Sequence, residues 1–219
     1  ALTYQVGPVA PELSVGYRFA AAAAIVFVWC VAAGQRLSFA WRRHLLFAVM
    51  GDCLFCFNFY FFYRAAAYLT SGLLAVVFST TVVMNIINGR LWLGRRATVR
   101  TLIAAAFGLC GIVLLFWPEV QRFGLGDAGT LGLLLSLTGT LCFSLGNMAS
   151  ARAQMLGLPV LSCNAWGMAY GALFMFALAV ASDTPFTFDP AVPYVVSLLY
   201  LAVFGSVIAF AAYLPLPGR

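Results

Sequence analysis

Long apolar runs alternate with short polar breaks along the whole chain. The runs fall at 13–33, in the two arms of a hairpin over 45–88 that turns at 68–72, and then at 101–117, 130–151, 161–181 and 194–214. A helix needs about 20 residues to cross a hydrocarbon core of about 30 Å, so each run is predicted to be a membrane helix. The breaks carry the matching punctuation. Pro11 and Ser14 open the first run, Pro118 stops the fourth, and Gly157-Leu158-Pro159 separates the fifth from the sixth. Residues 1–7 are apolar but too short to span.

The hairpin over 45–88 is where the pattern is broken most tellingly. Its first arm carries Asp52 and Asn58, and its second carries Thr81, Asn85 and Asn88. A carboxylate at bilayer depth costs about 2.5–3.5 kcal/mol even on the lenient insertion scale, so a partner helix or a watery cavity must offset it. Thr81, Asn85 and Asn88 are spaced four then three apart and share one helix face. Ser136, Thr140, Ser144 and Asn147 do the same on the 130–151 run. Two such stripes fit a lined cavity, which the sequence favours, or interhelical hydrogen bonds worth about 0.6 kcal/mol each.

Composition fixes the class. The chain is 64% hydrophobic and 8% charged, against about 25% charged in soluble domains. It is read as an all-α polytopic membrane protein whose surroundings are the lipid bilayer. The twelve cations are all arginines and give a net charge of +6. They cluster in short loops between spans, so topology explains them and no nucleic-acid partner is expected. If the Arg36 loop faces the cytoplasm, nine arginines lie on that side: Arg36, Arg42, Arg43, Arg90, Arg95, Arg96, Arg100, Arg152 and Arg219. Arg64 and Arg122 fall outside, and Arg18 lies within a span, an asymmetry that fixes the orientation. The six cysteines sit inside apolar runs and read as small hydrophobes. Cys53-x-x-Cys56 has no second pair and no histidine beside it, so no metal or other cofactor is expected. No phosphate loop, nucleophile elbow or HExxH motif is present, and one histidine among scattered acids argues against a membrane enzyme.

The order of the runs suggests an internal repeat. Shifting the sequence by 148 residues places Pro11, Leu13 and Ser14 on Pro159, Leu161 and Ser162. The two runs that follow Pro11 then correspond to the two that follow Pro159. Completing both copies gives a five-helix unit, and two such units in tandem have opposite topology, as in many secondary transporters. The expected units are 1–118 and 119–219. By this reckoning the sequence lacks most of a first helix and two final ones.

The segments VAPELSVGYRFA, FNFYFFYRAAAYLTSGLLAVVFSTTVVMNIINGRLWLGRR and GNMASARAQMLGLPVLSCNAWGMAYG resemble the EamA family of the drug/metabolite transporter superfamily, over nearly the whole chain. The resemblance implies a ten-helix fold of two repeats with a central cavity. It implies transport of small metabolites, often by efflux, across a bacterial inner membrane. It rests on Pro11 and Arg18 at the entry to one helix and on Tyr63-Arg64-Ala65 at the end of the next. The prolines Pro215 and Pro217 depart from the family pattern.

The expected function is a secondary transporter of a small metabolite, such as an amino acid or a related compound, working by alternating access. A non-transporting membrane fragment or scaffold, or a membrane enzyme, are the alternatives. The substrate-binding candidates are Arg18, Asp52, Asn58, Thr81, Asn85, Asn147, Asn164 and Trp166. Arg18 sits roughly 10 Å inside its span, where snorkelling to the interface and a cavity-facing role both fit. Asp52 lies too far toward the inner end to pair with Arg18. It is the candidate for proton coupling, with a structural hydrogen bond to a neighbouring helix as its rival. Trp166 reads as a cavity wall with Asn164 and Tyr170, or as an interfacial anchor. His44 reads as interfacial. Glu12, Tyr63 and Arg64 are gate or structural residues, with an Arg64–Glu12 pair expected at the outer interface. Gly167-x-x-x-Gly171 predicts a close helix crossing, and a homodimer stays open.

Overall fold

The structure is a computed structural model. It describes residues 9–124 and 126–209, with Asp127 described by its backbone alone. Residues 1–7, the last part of the 194–214 run, and Pro215, Pro217 and Arg219 lie outside the described residues. No strand occurs among the described residues. The apolar runs appear as α1 (Pro11–Ala32), α2 (Trp41–Ala65), α3 (Ser71–Leu93), α4 (Val99–Leu115), α6 (Asp127–Met155), α7 (Val160–Ala181) and α8 (Val192–Ile208). A short helix, α5 (Trp117–Arg122), lies where the sequence suggested only a loop. Pro118 both ends α4 and seeds α5, because its fixed φ suits a first helical turn. Among the described residues, five helices have the length and apolar character to cross a membrane, and α4 and α8 are shorter apolar helices.

Local chemistry sets the boundaries. Thr70 and Thr98 cap α3 and α4 by accepting from Leu73 N and Thr101 N. Gly94 ends α3 at φ 64°, a left-handed position that a side chain would resist. Within α3 the helical ladder slips at Thr80. The hydroxyls of Ser79, Thr80 and Thr81 donate to the carbonyls of Val76, Val77 and Phe78 at 2.6, 2.6 and 2.5 Å. Such back-bonding competes with the backbone ladder and bends helices.

Packing divides the chain into two compact units, Ala1–Cys56 with Ala149–Arg219 and Phe57–Met148. The cuts fall inside α2 and α6. Units of packing and units of sequence repetition are different divisions of the chain.

In the first unit α1 and α7 form the central pair and run antiparallel. Leu13 meets Ala179, Gly16 meets Phe176, and the Phe27 and Trp166 rings meet edge-to-face with centroids 5.1 Å apart. Both helices bury small residues, Ala22 and Ala23 on α1 and Ala165, Ala172 and Ala179 on α7. Without a hydrophobic drive between helices in lipid, such residues permit the close approach that holds helices together. α2 packs beside α7 and runs parallel to it, as the pairs His44–Tyr170 and Cys56–Met175 show. α8 packs beside α1 and runs parallel to that helix, through Ser14–Tyr194 and Arg18–Ser206. Exchanging α1 with α7 and α2 with α8 therefore returns the same arrangement.

The correspondence extends to lengths. α1 and α7 each have 22 residues. The membrane-entering parts of α2 and α8 are each 11 residues, Trp41–Gly51 and Val192–Ala202. Each is followed by a six-residue π-helical turn, Asp52–Phe57 in α2 and Val203–Ile208 in α8.

In the second unit α3 contacts α4 and α5. α4 has no buried residue, and Phe107 on it is 76% exposed. An apolar helix surface of this kind suits hydrocarbon and not water.

Candidate functional site

In the first unit the polar residues mark the places where α2 and α8 cross the central pair. Arg18 is buried on α1. Its Nε donates to Ser206 Oγ at 2.9 Å and its Nη2 donates to the Gly205 carbonyl at 3.0 Å. The guanidinium also lies 5.2 Å from the centre of the Phe19 ring. Both hydrogen bonds end on the π turn of α8. Ser206 Oγ in turn donates to the Leu201 carbonyl at 3.2 Å.

Asp52 opens the π turn of α2 and is half-buried. Among the described residues its carboxylate has no hydrogen-bond partner. Directly before it, Gly51 packs against the backbone of α7. A Cβ at position 51 would strike the Gly167 carbonyl oxygen and come within 2.9 Å of Gly171 N. The crossing expected from Gly167 and Gly171 is thus present, with Gly51 as its partner on α2. Cys56 donates to Met175 Sδ across the same seam at 3.4 Å, and none of the six cysteines is in a disulfide.

Near the loop that joins α1 to α2 lies an aromatic cluster. Trp166 Nε1 donates to the Leu37 carbonyl at 3.0 Å, and Ser162 Oγ donates to the Arg36 carbonyl at 2.7 Å. His44 Nδ1 shares a proton with Tyr170 OH at 3.0 Å, and the His44 and Trp166 rings meet edge-to-face at 4.6 Å. His44 is half-buried and joined to α7 at this end. Trp166 ties α7 to the loop. Asn164 is buried on the same helix. Glu12 is buried in the first turn of α1.

In the second unit the two polar stripes face each other. Asn88 Nδ2 donates to Ser144 Oγ at 2.9 Å, and Asn147 Nδ2 donates to Asn85 Oδ1 at 3.4 Å. These are the interhelical hydrogen bonds that the sequence ranked behind a cavity lining. Thr81 and Thr140 turn their hydroxyls onto carbonyls of their own helices. Asn58 is buried, and its own carbonyl lies 3.2 Å from where a Gly139 Cβ would stand. Arg64 is exposed, 4.9 Å from the centre of the Tyr60 ring, and Tyr63 is half-buried. Arg64 and Tyr63 belong to this unit and Glu12 to the first.

A cleft of about 360 Å³ also lies in the second unit. Tyr68, Thr70, Leu73, Glu119, Arg122 and Phe123 line it. None of the substrate-binding or gate candidates from the sequence borders this cleft. Sequence reasoning also passed over Gly51, both π turns, the Gly205-Ser206 receptor for Arg18 and the His44–Tyr170 bond. Ser206 alone left a signal, as a hydroxyl inside an apolar run.

The family model of the EamA-like transporter family matches residues 3–117, more than half of the 219-residue chain. No curated protein matches. Among solved structures, a crystal structure of a protein superposes with a TM-score of 0.79 at 19% identity. The match covers 99% of this chain and 73% of that one, and it shows a shared fold.

Proposed function

The chain belongs to the EamA-like transporter family, a membrane transporter family of the drug/metabolite type, and from that premise we propose that it is a secondary transporter built on an inverted repeat. The observation that carries the proposal is the self-matching arrangement of the first unit. Two antiparallel 22-residue helices are each followed by a helix of 11 residues and a six-residue π turn. Two copies of one unit, inserted in opposite senses, produce this pattern, and alternating access between two such copies is how many secondary transporters work. The family match over 3–117 nearly coincides with the first unit expected from the sequence, 1–118, which supports the same division.

The cargo is a small metabolite, with amino acids or related compounds as the class to try first, exported across a bacterial inner membrane. The polar side chains of the spans are its contact points. Asp52 is the residue for energy coupling. It is half-buried at bilayer depth, and its carboxylate lacks a hydrogen-bond partner among the described residues. A carboxylate so placed is the kind of group that carries protons in pumps and transporters. The protein functions as a monomer or a homodimer.

The test is export from cells that express the complete protein, read as extracellular amino acids by mass spectrometry at two external pH values. The wild type should export at least one compound above the empty-vector level. Asp52→Asn should lower that export at least tenfold and flatten its pH dependence. Export with unchanged rate and unchanged pH dependence in the variant removes Asp52 from coupling. Equal extracellular profiles with and without the wild-type protein would count against the transporter reading.

A further inference from the structure

The cleft of the second unit has a polar mouth and an apolar floor. The mouth, of about 360 Å³, carries two opposite charges from α5, Glu119 and Arg122. Among the described residues neither side chain has a hydrogen bond or an ion pair. Glu119 is half-buried and Arg122 is exposed. Gly72 lets Glu119 lie against the first turn of α3, since a Cβ there would stand 3.1 Å from the carboxyl carbon. Thr70 lines the same mouth. Its Oγ accepts from Leu73 N, so its hydroxyl proton is left for an acceptor in the cleft. A guanidinium and a hydroxyl donor beside a carboxylate acceptor are the complement of a zwitterion.

Leu73 and Phe123 also border a second chamber, of about 170 Å³. Its other walls are Leu69, Val76 and Val77 along the start of α3, with Val120 and Leu133 opposite, all apolar. From Leu73 to Val77 the helix rises about 6 Å. α3 has the length and composition of a membrane crossing, and the mouth stands at its first turn. The mouth therefore lies at headgroup depth and the chamber in the hydrocarbon beyond it. Neither chamber is closed. An apolar chamber open to hydrocarbon takes up acyl chain, and the chain brings its own headgroup to the mouth.

We infer that this cleft binds a phospholipid whose headgroup joins a phosphate to a primary ammonium, as phosphatidylethanolamine does. Arg122 and Thr70 donate to the phosphate, the ammonium donates to Glu119, and one acyl chain lies along Leu73 and Val76. The planar fork of arginine suits phosphate oxygens. Positions three apart on a helix stand about 5–6 Å from each other, a gap that the ethanolamine bridge spans. Glu119 also works against other headgroups. It repels anionic phosphatidylglycerol, and the trimethylated nitrogen of phosphatidylcholine has no N–H to give it. The site stands apart from whether the chain transports and from what it carries.

Native mass spectrometry tests it, on the complete protein released from micelles with equal amounts of phosphatidylethanolamine and phosphatidylglycerol. The wild type should retain the ethanolamine lipid over the glycerol lipid by about tenfold, the worth of one hydrogen bond to a charged group. Glu119→Gln should abolish that preference and still retain phospholipid, whereas Arg122→Gln should lower retention of both lipids. Arg100→Gln, at an exposed arginine of α4 outside the cleft, should change neither. Equal retention of the two lipids by the wild type overturns the site without recourse to any variant. A preference that survives Glu119→Gln also overturns it, because the lipid would then sit elsewhere on the protein. Displacement of the lipid by an equal concentration of free phosphoethanolamine would assign the cleft to a soluble zwitterion and overturn the lipid.

Discussion

Asn88 and Ser144 show one use of a polar residue inside a span of this molecule. Their 2.9 Å bond joins α3 to α6 among otherwise apolar neighbours. Hydrogen bonds between membrane helices are worth about 0.6 kcal/mol on average, because the separated helices also find partners. A double-mutant cycle of Asn88→Ala and Ser144→Ala should therefore return a coupling of about 0.5–1 kcal/mol in a reversible unfolding assay in detergent. The Asn85–Asn147 pair, at 3.4 Å, should return less. A coupling near zero for Asn88–Ser144 would mean that the stripe is held by packing alone. The three back-bonded hydroxyls of Ser79, Thr80 and Thr81 belong to the same scale. They spend their polarity on their own helix, where its ladder is interrupted at Thr80.

At the scale of elements the decisive contact is the crossing of α2 with α7. Gly51 sits against the Gly167 carbonyl and Gly171 N, and both neighbours are backbone that cannot step aside. Overpacking of this kind costs about 1–3 kcal/mol. Gly51→Ala should lower the thermal midpoint of the purified protein clearly, whereas Gly108→Ala on α4, where nothing lies within 4 Å, should not. An equal effect of the two would show that the crossing is not tight. The elements were largely legible because hydropathy and helix length are read from composition along the chain: the runs, the turn at 68–72 and the Gly167–Gly171 crossing all follow from it. The π turns were not legible. DCLFCF and VFGSVI share no residue pattern, since an extra residue in a turn is a matter of backbone register and neighbours. Depth along a helix could be counted for Arg18, but rotation about the helix could not. Its bonds to Gly205 and Ser206 were therefore invisible until α8 was placed beside α1. For the stripes, shared face could be derived, but whether that face met water or another helix depended on what stood opposite.

At the scale of the whole molecule, opposite insertion of two copies makes a demand that parallel duplication does not. The segment after α1, around 34–40, and the segment after α7, around 183–190, follow equivalent helices. Inverted copies must therefore place them on opposite sides of the membrane. The charges agree, with Arg36, Arg42 and Arg43 near the first segment and Asp183 and Asp189 in the second. Arginine retention on the cytoplasmic side sets orientation, while the acids contribute little. A short peptide epitope inserted at 34–40 of the complete protein should stay hidden from antibody on intact spheroplasts and become reactive on permeabilisation. The same epitope at 183–190 should react on intact spheroplasts. Both epitopes on one side would show that an even number of membrane crossings separates them. That outcome would exclude inverted copies, because α1 and α7 would then enter the bilayer in the same sense despite packing antiparallel in one compact unit.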